Sequence, residues 1–78
     1  MSVGIDEQAR LRGQFIQARK SAGLTQAGLA DRLGRPQSFV SKYERGERRL
    51  DVIEFCKVCR ALGIHPVAFL QRFCGEGS

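Results

Sequence analysis

Residues 25–46 read TQAGLADRLGRPQSFVSKYERG, and this stretch decides the fold. Thr25 is a good helix cap, because its hydroxyl can accept from the unpaired amides of the first turn. The helix that follows ends at Gly34, where glycine can take the left-handed conformation after the last turn. Pro36 suits the first position of a further short helix, which Gly46 ends. The stretch therefore predicts two helices joined by a very short turn.

Helices joined by so short a turn cross steeply, and a small residue such as Ala30 is needed where their axes come closest. Four apolar residues would anchor the pair on its inner side: Leu29, Leu33, Val40 and Tyr43. The outer edge of the second helix carries amide, hydroxyl and ammonium groups, on Gln37, Ser38, Ser41 and Lys42. These groups match the hydrogen-bonding edges of bases and the phosphates of a DNA major groove. The edge is therefore a candidate for reading DNA.

The flanking sequence predicts three further helices. Apolar residues recur at helical spacing over 8–22, then from the cap Asp51 to Leu62, and again over 67–73. In the last two helices we expect the inward residues to include Val52, Phe55, Val58, Cys59, Leu62, Val67 and Leu70. No segment alternates with period two, so the prediction is an all-α, compact five-helix domain over 8–73. Residues 1–7 are expected to form a flexible arm and residues 74–78 a frayed tail.

The order of these motifs resembles the Xre family of helix-turn-helix regulators, the group of lambda repressor and Cro. The resemblance runs from about Leu11 to Leu70. It rests on Thr25-Gln26, Leu29-Ala30, Leu33-Gly34, the run VSKYERG at 40–46 and Ala61-Leu62-Gly63. It implies a helix-turn-helix at about 25–45, in which the third helix of the domain enters the major groove. The second helix would lie across the DNA backbone with its N-terminus towards a phosphate.

The resemblance also implies roles for single residues. Gln26 would contact a phosphate at the start of the second helix. The base-reading residues would be Gln37, Ser38, Ser41 and Lys42. Phe39 could meet a thymine methyl group or instead pack against the second helix. Arg19 and Glu44 match an ion pair, buried or half-buried, that ties the first helix to the end of the third.

Charge supports the same surface. The chain has a net charge of +5, and residues 32–49 hold six basic and two acidic residues, so +4 of that charge surrounds the predicted reading helix. Such an excess favours a polyanion as partner. We therefore expect Arg35, Arg45 and Arg48 to contact phosphates beside Gln26.

Several classes of protein are disfavoured. A chain of 78 residues has no room for a large cleft between domains, and no paired carboxylates or nucleophile–base set indicates an enzyme. Cys56 and Cys59 with His65 and Cys74 suggest zinc, but a Cys-x2-Cys pair in mid-helix is unlike structural zinc sites, so neither metal nor cofactor is expected. An odd cysteine count, no signal peptide and no apolar run of about 20 residues point to the cytoplasm, with no membrane partner. The resemblance implies that this is the cytoplasm of a bacterium, with the gene belonging to the bacterium or to a phage.

A single reading helix covers too few base pairs to be selective, so we expect a homodimer acting as a repressor on two half-sites of double-stranded DNA. Three large apolar residues, Ile53, Phe69 and Phe73, are predicted to form the dimer interface. Phe69 and Phe73 lie four residues apart on the last helix, and Ile53 and Phe69 lie off the inward stripes of their helices. The alternative is a protein-interaction module, such as the antitoxin of a toxin–antitoxin pair, whose main partner is another protein.

Overall fold

The computed structural model describes the backbone of residues 3–77 and the side chains of residues 7–75. Within residues 3–77 the chain forms five α-helices and no strand. They are α1 (Val3–Ser21), α2 (Gln26–Leu33), α3 (Gln37–Glu44), α4 (Val52–Ala61) and α5 (Pro66–Gly77). The predicted all-α, five-helix fold is confirmed. None of these helices combines the length and the apolar character that crossing a bilayer requires.

The turn between α2 and α3 is built as its sequence predicts. The hydroxyl of Thr25 accepts from the Gly28 amide at 3.0 Å and so caps α2. Gly34 has φ 67°, in the left-handed region, and the next amide, on Arg35, donates back to the Ala30 carbonyl at 3.0 Å. These bonds end one helix and aim the chain towards the next within three residues.

Local bonds also fix the start of α4. The Asp51 carboxylate accepts from the Glu54 amide at 2.7 Å, while the Glu54 carboxylate accepts from the Asp51 amide at 3.0 Å. This reciprocal capping box satisfies two amides that a helix N-terminus would otherwise leave unpaired. At the start of α5, Nδ1 of His65 accepts from the Val67 amide at 3.2 Å.

Three boundaries differ from the prediction. The first helix begins at Val3 instead of Gln8, because a nucleated helix extends at the gain of one hydrogen bond per residue and residues 3–7 contain no proline. For the same reason α5 continues through Gly77, past the expected end at residue 73. Pro36 is the residue before α3, with extended backbone (φ −63°, ψ 152°), and is not the first helical residue.

The core is centred on stacked aromatic rings contributed by three helices. Phe15 of α1 stacks on Phe69 of α5 with ring centroids 4.8 Å apart and planes 12° apart. Phe55 of α4 meets both rings edge-on, each at 5.6 Å. Around this aromatic stack lie fully buried residues from α2, α3 and α4: Leu29, Val40, Val58 and Cys59.

The predicted inward faces of α4 and α5 need correction. Phe69 is 6% exposed, whereas Val67 and Leu70, which were expected to face inward, are 56% and 44% exposed. The aromatic stack sets the rotation of α5, since a phenyl ring in contact with two others buries more apolar area than an aliphatic side chain would. Val52 is exposed as well, because the first turn of α4 extends past the core.

Candidate nucleic-acid interface

One edge of α3 carries the side chains that were predicted to read bases. Gln37, Ser38 and Lys42 are exposed and Ser41 is half-buried. The other side of the same helix is buried, through residues that include Val40 and Tyr43. Polar groups spaced one turn apart on an exposed helix edge can donate to and accept from base edges in a major groove.

Phe39 does not belong to this exposed edge. It is 6% exposed and packs edge-on against Tyr43, with ring centroids 5.5 Å apart. It lies four residues, about one helical turn, before the buried Tyr43, so the two side chains share the inward side of α3. A ring this deeply buried is not available to a thymine methyl group, and the ring contact that Phe39 makes is with Tyr43 of its own helix.

Two predicted phosphate-contacting arginines cover the Phe39 ring. The guanidinium carbon of Arg35 lies 4.2 Å from the ring centroid, and that of Arg48 lies 4.8 Å from it. Cations over an aromatic face are attracted by its quadrupole. Burial of Phe39 therefore places two positive charges beside the start of α3.

Glu54 forms ion pairs with both of these arginines. Its carboxylate accepts from both terminal nitrogens of Arg48, at 2.8 and 2.7 Å, and lies 3.7 Å from Arg35. The hydrogen bonds from Arg48 and from the Asp51 amide lower the pKa of Glu54 to about 2. Two guanidinium groups and one carboxylate leave a net positive charge here, with Arg35 and Arg48 partly accessible to solvent.

A polar network ties α1, α2 and α3 together, and Arg19 and Glu44 form its centre. Arg19 Nε donates to Glu44 Oε2 at 2.8 Å and Nη2 donates to Oε1 at 3.1 Å. The two side chains are only 11% and 4% exposed. The hydrogen bonds to the carboxylate raise the pKa of Arg19 above its usual value despite partial burial. The remaining guanidinium nitrogen, Nη1, donates to the Leu24 carbonyl at 2.9 Å, just before the α2 cap.

Gln26 is the fourth member of this polar network. Its amide nitrogen donates to Glu44 Oε1 at 2.9 Å, so the end of α3 holds the side chain at the start of α2. A carboxamide has two N–H donors and one carbonyl acceptor, so this bond leaves one N–H and the carbonyl oxygen for other partners. Gln26 is half-buried, and its orientation is fixed by the same carboxylate that holds Arg19.

Arg45 lies outside the polar network, just after α3. It makes two hydrogen bonds to the Glu47 carboxylate, at 2.9 and 3.0 Å, and both side chains are 55% exposed. Exposed pairs of this kind contribute little to stability, so Arg45 can exchange Glu47 for another anion at little cost.

The residues predicted to form a dimer interface are placed differently from one another. Ile53 is 67% exposed, whereas Phe69 is in the aromatic stack. Phe73 is half-buried beneath the Arg10 guanidinium, 3.8 Å from its ring centroid. Among the described residues the large exposed apolar side chains are instead Val52, Ile53, Val67 and Leu70.

Two groups that hold arginines in place were not predicted from the sequence. Glu54 orients Arg48 of the interface, and the Leu24 carbonyl orients Arg19 of the polar network. The Asp51-x-x-Glu54 spacing is a capping-box signal, and it would have placed Glu54 beside the start of α4. No comparable local signal marks Leu24, because a backbone carbonyl is present at every residue.

The cysteines take no part in this interface. Cys59 is buried, which raises the pKa of its thiol to about 11, and Cys56 and Cys74 are also free thiols. Over the described side chains, no group of three or more His, Cys, Asp or Glu residues is arranged to hold a metal ion.

Comparisons with known proteins agree on one family. A family model described as helix-turn-helix matches residues 15–69. A curated relative, an uncharacterized HTH-type transcriptional regulator (y4dJ) from Sinorhizobium fredii, is 33% identical over 63 residues, covering 81% of this chain and 82% of the relative.

Solved structures show the same likeness. An XRE-family like protein from Pseudomonas syringae pv. tomato is 49% identical, with a TM-score of 0.91 over 95% of this chain and 90% of the other. The clp gene regulator ClgR from Corynebacterium glutamicum is 24% identical, with a TM-score of 0.76 over 91% of this chain and 76% of the other. The second match shows a shared fold.

Proposed function

Since this chain belongs to the XRE-type helix-turn-helix family of transcription regulators, we propose that it is a repressor that binds a palindromic operator as a homodimer. It binds double-stranded DNA in the cytoplasm of a bacterium, or of a bacterium infected by the phage that encodes it, and it has no catalytic activity. The observation that supports this proposal best is the exposed polar edge of α3, whose other side is anchored in the core.

In the proposed complex the start of α3 lies in the major groove. Gln37, Ser38, Ser41 and Lys42 contact base edges; the Gln37 carboxamide suits the donor and acceptor pair of adenine. Gln26, Arg35, Arg45 and Arg48 contact phosphates on either side and set the register of the protein on the duplex. Arg35 and Arg48 need little reordering for this role, because Glu54 and Phe39 already hold them.

The Arg19–Glu44 pair would act through orientation. Glu44 lies at the end of α3, and its bonds to Arg19 and Gln26 connect it to the two helices that flank the groove-facing edge. In this proposal the pair sets the angle at which α3 enters the groove, and it holds the Gln26 carboxamide ready for a phosphate.

The proposed dimer uses a revised apolar surface. Burial of Phe69 removes it from the interface, so we place the contact on the exposed residues of α4 and α5: Val52, Ile53, Val67 and Leu70. A two-fold dimer matches a palindromic operator, whose two half-sites lie about one helical turn apart. A second copy of this chain is therefore the occupant that the proposed DNA binding requires.

Selection of duplexes from a random pool tests the proposal. We expect two inverted half-sites whose centres are about 10 base pairs apart. Affinity for the selected duplex should fall steeply with salt, with a log–log slope of about −4 to −5 for four to six arginine–phosphate contacts per dimer. A pool without a shared motif and a flat salt dependence would contradict DNA reading and favour the protein-interaction alternative.

A further inference from the structure

A cleft of about 240 Å³ lies between α1 and the loop that joins α3 to α4. Its apolar wall includes Leu11, Phe15 and Leu50. Three arginines also line it, Arg12 from α1 and Arg48 and Arg49 from the loop, and none of the lining residues is acidic. The cleft thus combines apolar and positively charged lining groups, on a part of the surface that lies outside the α3 reading edge.

Arg12 is the unusual group in this cleft. It is half-buried, and within residues 7–75 it makes no hydrogen bond or ion pair. Its guanidinium lies against the loop backbone, so close that a Cβ on Gly46 would stand 2.9 Å from Arg12 Cζ. Arg48 differs, because the Glu54 carboxylate already neutralises it. A partly desolvated cation without an anion is costly, so Arg12 gains from any anion that enters the cleft.

A tyrosine beside Arg12 also carries a polar group without a partner. Tyr43 also lines the cleft, and its hydroxyl is buried with no hydrogen-bond partner among the described residues. Most buried hydroxyls in proteins are hydrogen-bonded. The unpaired Arg12 therefore gives the cleft an unsatisfied charge set among apolar side chains, which is the composition of a small-molecule site.

We propose that this cleft binds a small carboxylate with a short apolar body. The carboxylate pairs with the planar Arg12 guanidinium, and the body lies against Leu11, Phe15 and Leu50. One unpaired guanidinium, with the exposed Arg49 at the rim, matches a single negative charge. The volume suits a molecule of about a dozen non-hydrogen atoms or fewer, since it is below the usual 300–1,000 Å³ of ligand pockets.

A DNA phosphate is the competing source of an oxyanion, because the same loop carries Arg48. The experiment is therefore done without DNA, and the inference stands independently of the proposed repressor function. Sodium benzoate serves as the probe and benzamide as its neutral counterpart of similar shape. Each is titrated into the ¹⁵N-labelled full chain at constant ionic strength while amide chemical shifts are followed.

We expect saturable shifts on adding benzoate, concentrated at the amides of Gly46, Arg49 and Leu50. Benzamide should bind at least about tenfold more weakly, because it lacks the charge that pairs with Arg12. Arg12→Ala should lose about tenfold in benzoate affinity. Arg60→Ala is the matched control, since it removes the same charge from an exposed position on α4 and should bind benzoate like the parent.

Arg12→Gln accompanies Arg12→Ala, because it keeps most of the side-chain stem that packs on the loop. Thermal unfolding of each variant establishes that it is folded. Arg49→Ala, at an exposed position, should also lower the benzoate affinity, but by less than Arg12→Ala does. Equal binding of benzoate and benzamide would overturn the proposal, as would shifts that never saturate or that Arg12→Ala leaves unchanged. No response to benzoate, combined with weaker duplex binding by Arg12→Ala, would assign this guanidinium to the DNA backbone and also overturn it.

Discussion

The two ends of the core are held by different kinds of interaction. The α2–α3 end is fixed by directional bonds of the polar network, in which one carboxylate, Glu44, accepts from Arg19 and Gln26. The α4–α5 end is fixed by the aromatic stack of Phe15, Phe55 and Phe69. Hydrogen bonds specify an angle, whereas stacking and burial mainly supply stability. Under the proposed function, the helix that reads DNA is thus the one oriented by polar groups.

The aromatic stack should carry the largest stability effect. Phe69→Ala is expected to lower the free energy of unfolding by about 3–5 kcal/mol, because it opens a cavity against two rings. Leu70→Ala, at the next residue but 44% exposed, should change it by about 0.5 kcal/mol or less when measured on the monomer. Urea denaturation of both variants at low protein concentration provides the measurement. Similar losses in the two variants would mean that the stack does not set the rotation of α5.

The polar network comes next in size. Glu44→Gln should cost about 3 kcal/mol of stability, because it leaves Arg19 without a counter-charge at a site where the partners are 11% and 4% exposed. Thermal unfolding measures this loss, and operator binding should fall with it.

A double replacement separates stability from orientation. Arg19→Met with Glu44→Leu should restore much of the stability, since apolar side chains of similar volume can replace a buried ion pair. Operator affinity should not recover to the same extent, because Gln26 remains without its acceptor. Arg19→Met and Glu44→Leu are also measured singly. Stability and affinity recovering together in the double variant, or neither single variant losing either property, would show that the pair does not orient α3.

The exposed edge of α3 should affect binding and not folding. Gln37→Ala is expected to lose about 1–3 kcal/mol on the selected operator and little on random DNA, whereas Arg45→Ala should weaken both alike. Fluorescence anisotropy with the two duplexes separates these outcomes. Equal losses for both variants would mean that base reading belongs to other residues.

The smallest effect concerns Glu54 of α4, whose carboxylate pairs with Arg35 before α3 and with Arg48 after it. Its folded-state pKa of about 2 lies below the ordinary value of 4.5, so the unfolded chain takes up the proton first. The carboxylate therefore stabilises the fold above about pH 4.5, and that contribution disappears as the pH falls towards 2. Glu54→Gln should be about 1 kcal/mol less stable than the parent at neutral pH. The difference should shrink steadily between pH 4.5 and 2 in unfolding experiments, and a constant difference would contradict the assigned pairing.

The sequence was sufficient to predict helix ends and turns that depend on residues only a few positions apart. Thr25 and Asp51 cap their helices through amides three residues away, and Gly34 supplies a left-handed turn, so the positions of α2, α3 and α4 follow from short-range chemistry. The resemblance to a family added a longer-range expectation, since Arg19 and Glu44 are 25 residues apart and lie in contact. The expected DNA contacts themselves stay predictions.

Facing directions were harder to predict. Residues 67 and 70 form as regular a helical stripe as residues 69 and 73, so periodicity alone does not say which stripe is buried. The choice depends on Phe15 and Phe55, which are distant in sequence and reach α5 only in the folded chain. The burial of Phe39 was difficult to predict for the same reason, because the side chains that lie over its ring are those of Arg35 and Arg48.

The division of α3 into a buried side and a solvent-facing edge also bears on how such a protein changes over generations. Gln37, Ser38 and Lys42 are exposed, so substitutions there should alter stability by about 0.5 kcal/mol or less. Under the proposed base-reading role of this edge, variants with new target sequences can therefore arise, or be drawn from a library randomised at these codons, without first losing the fold. After gene duplication, two copies could diverge towards separate operators by mutation of a handful of surface positions, while the polar network and the aromatic stack stay unchanged.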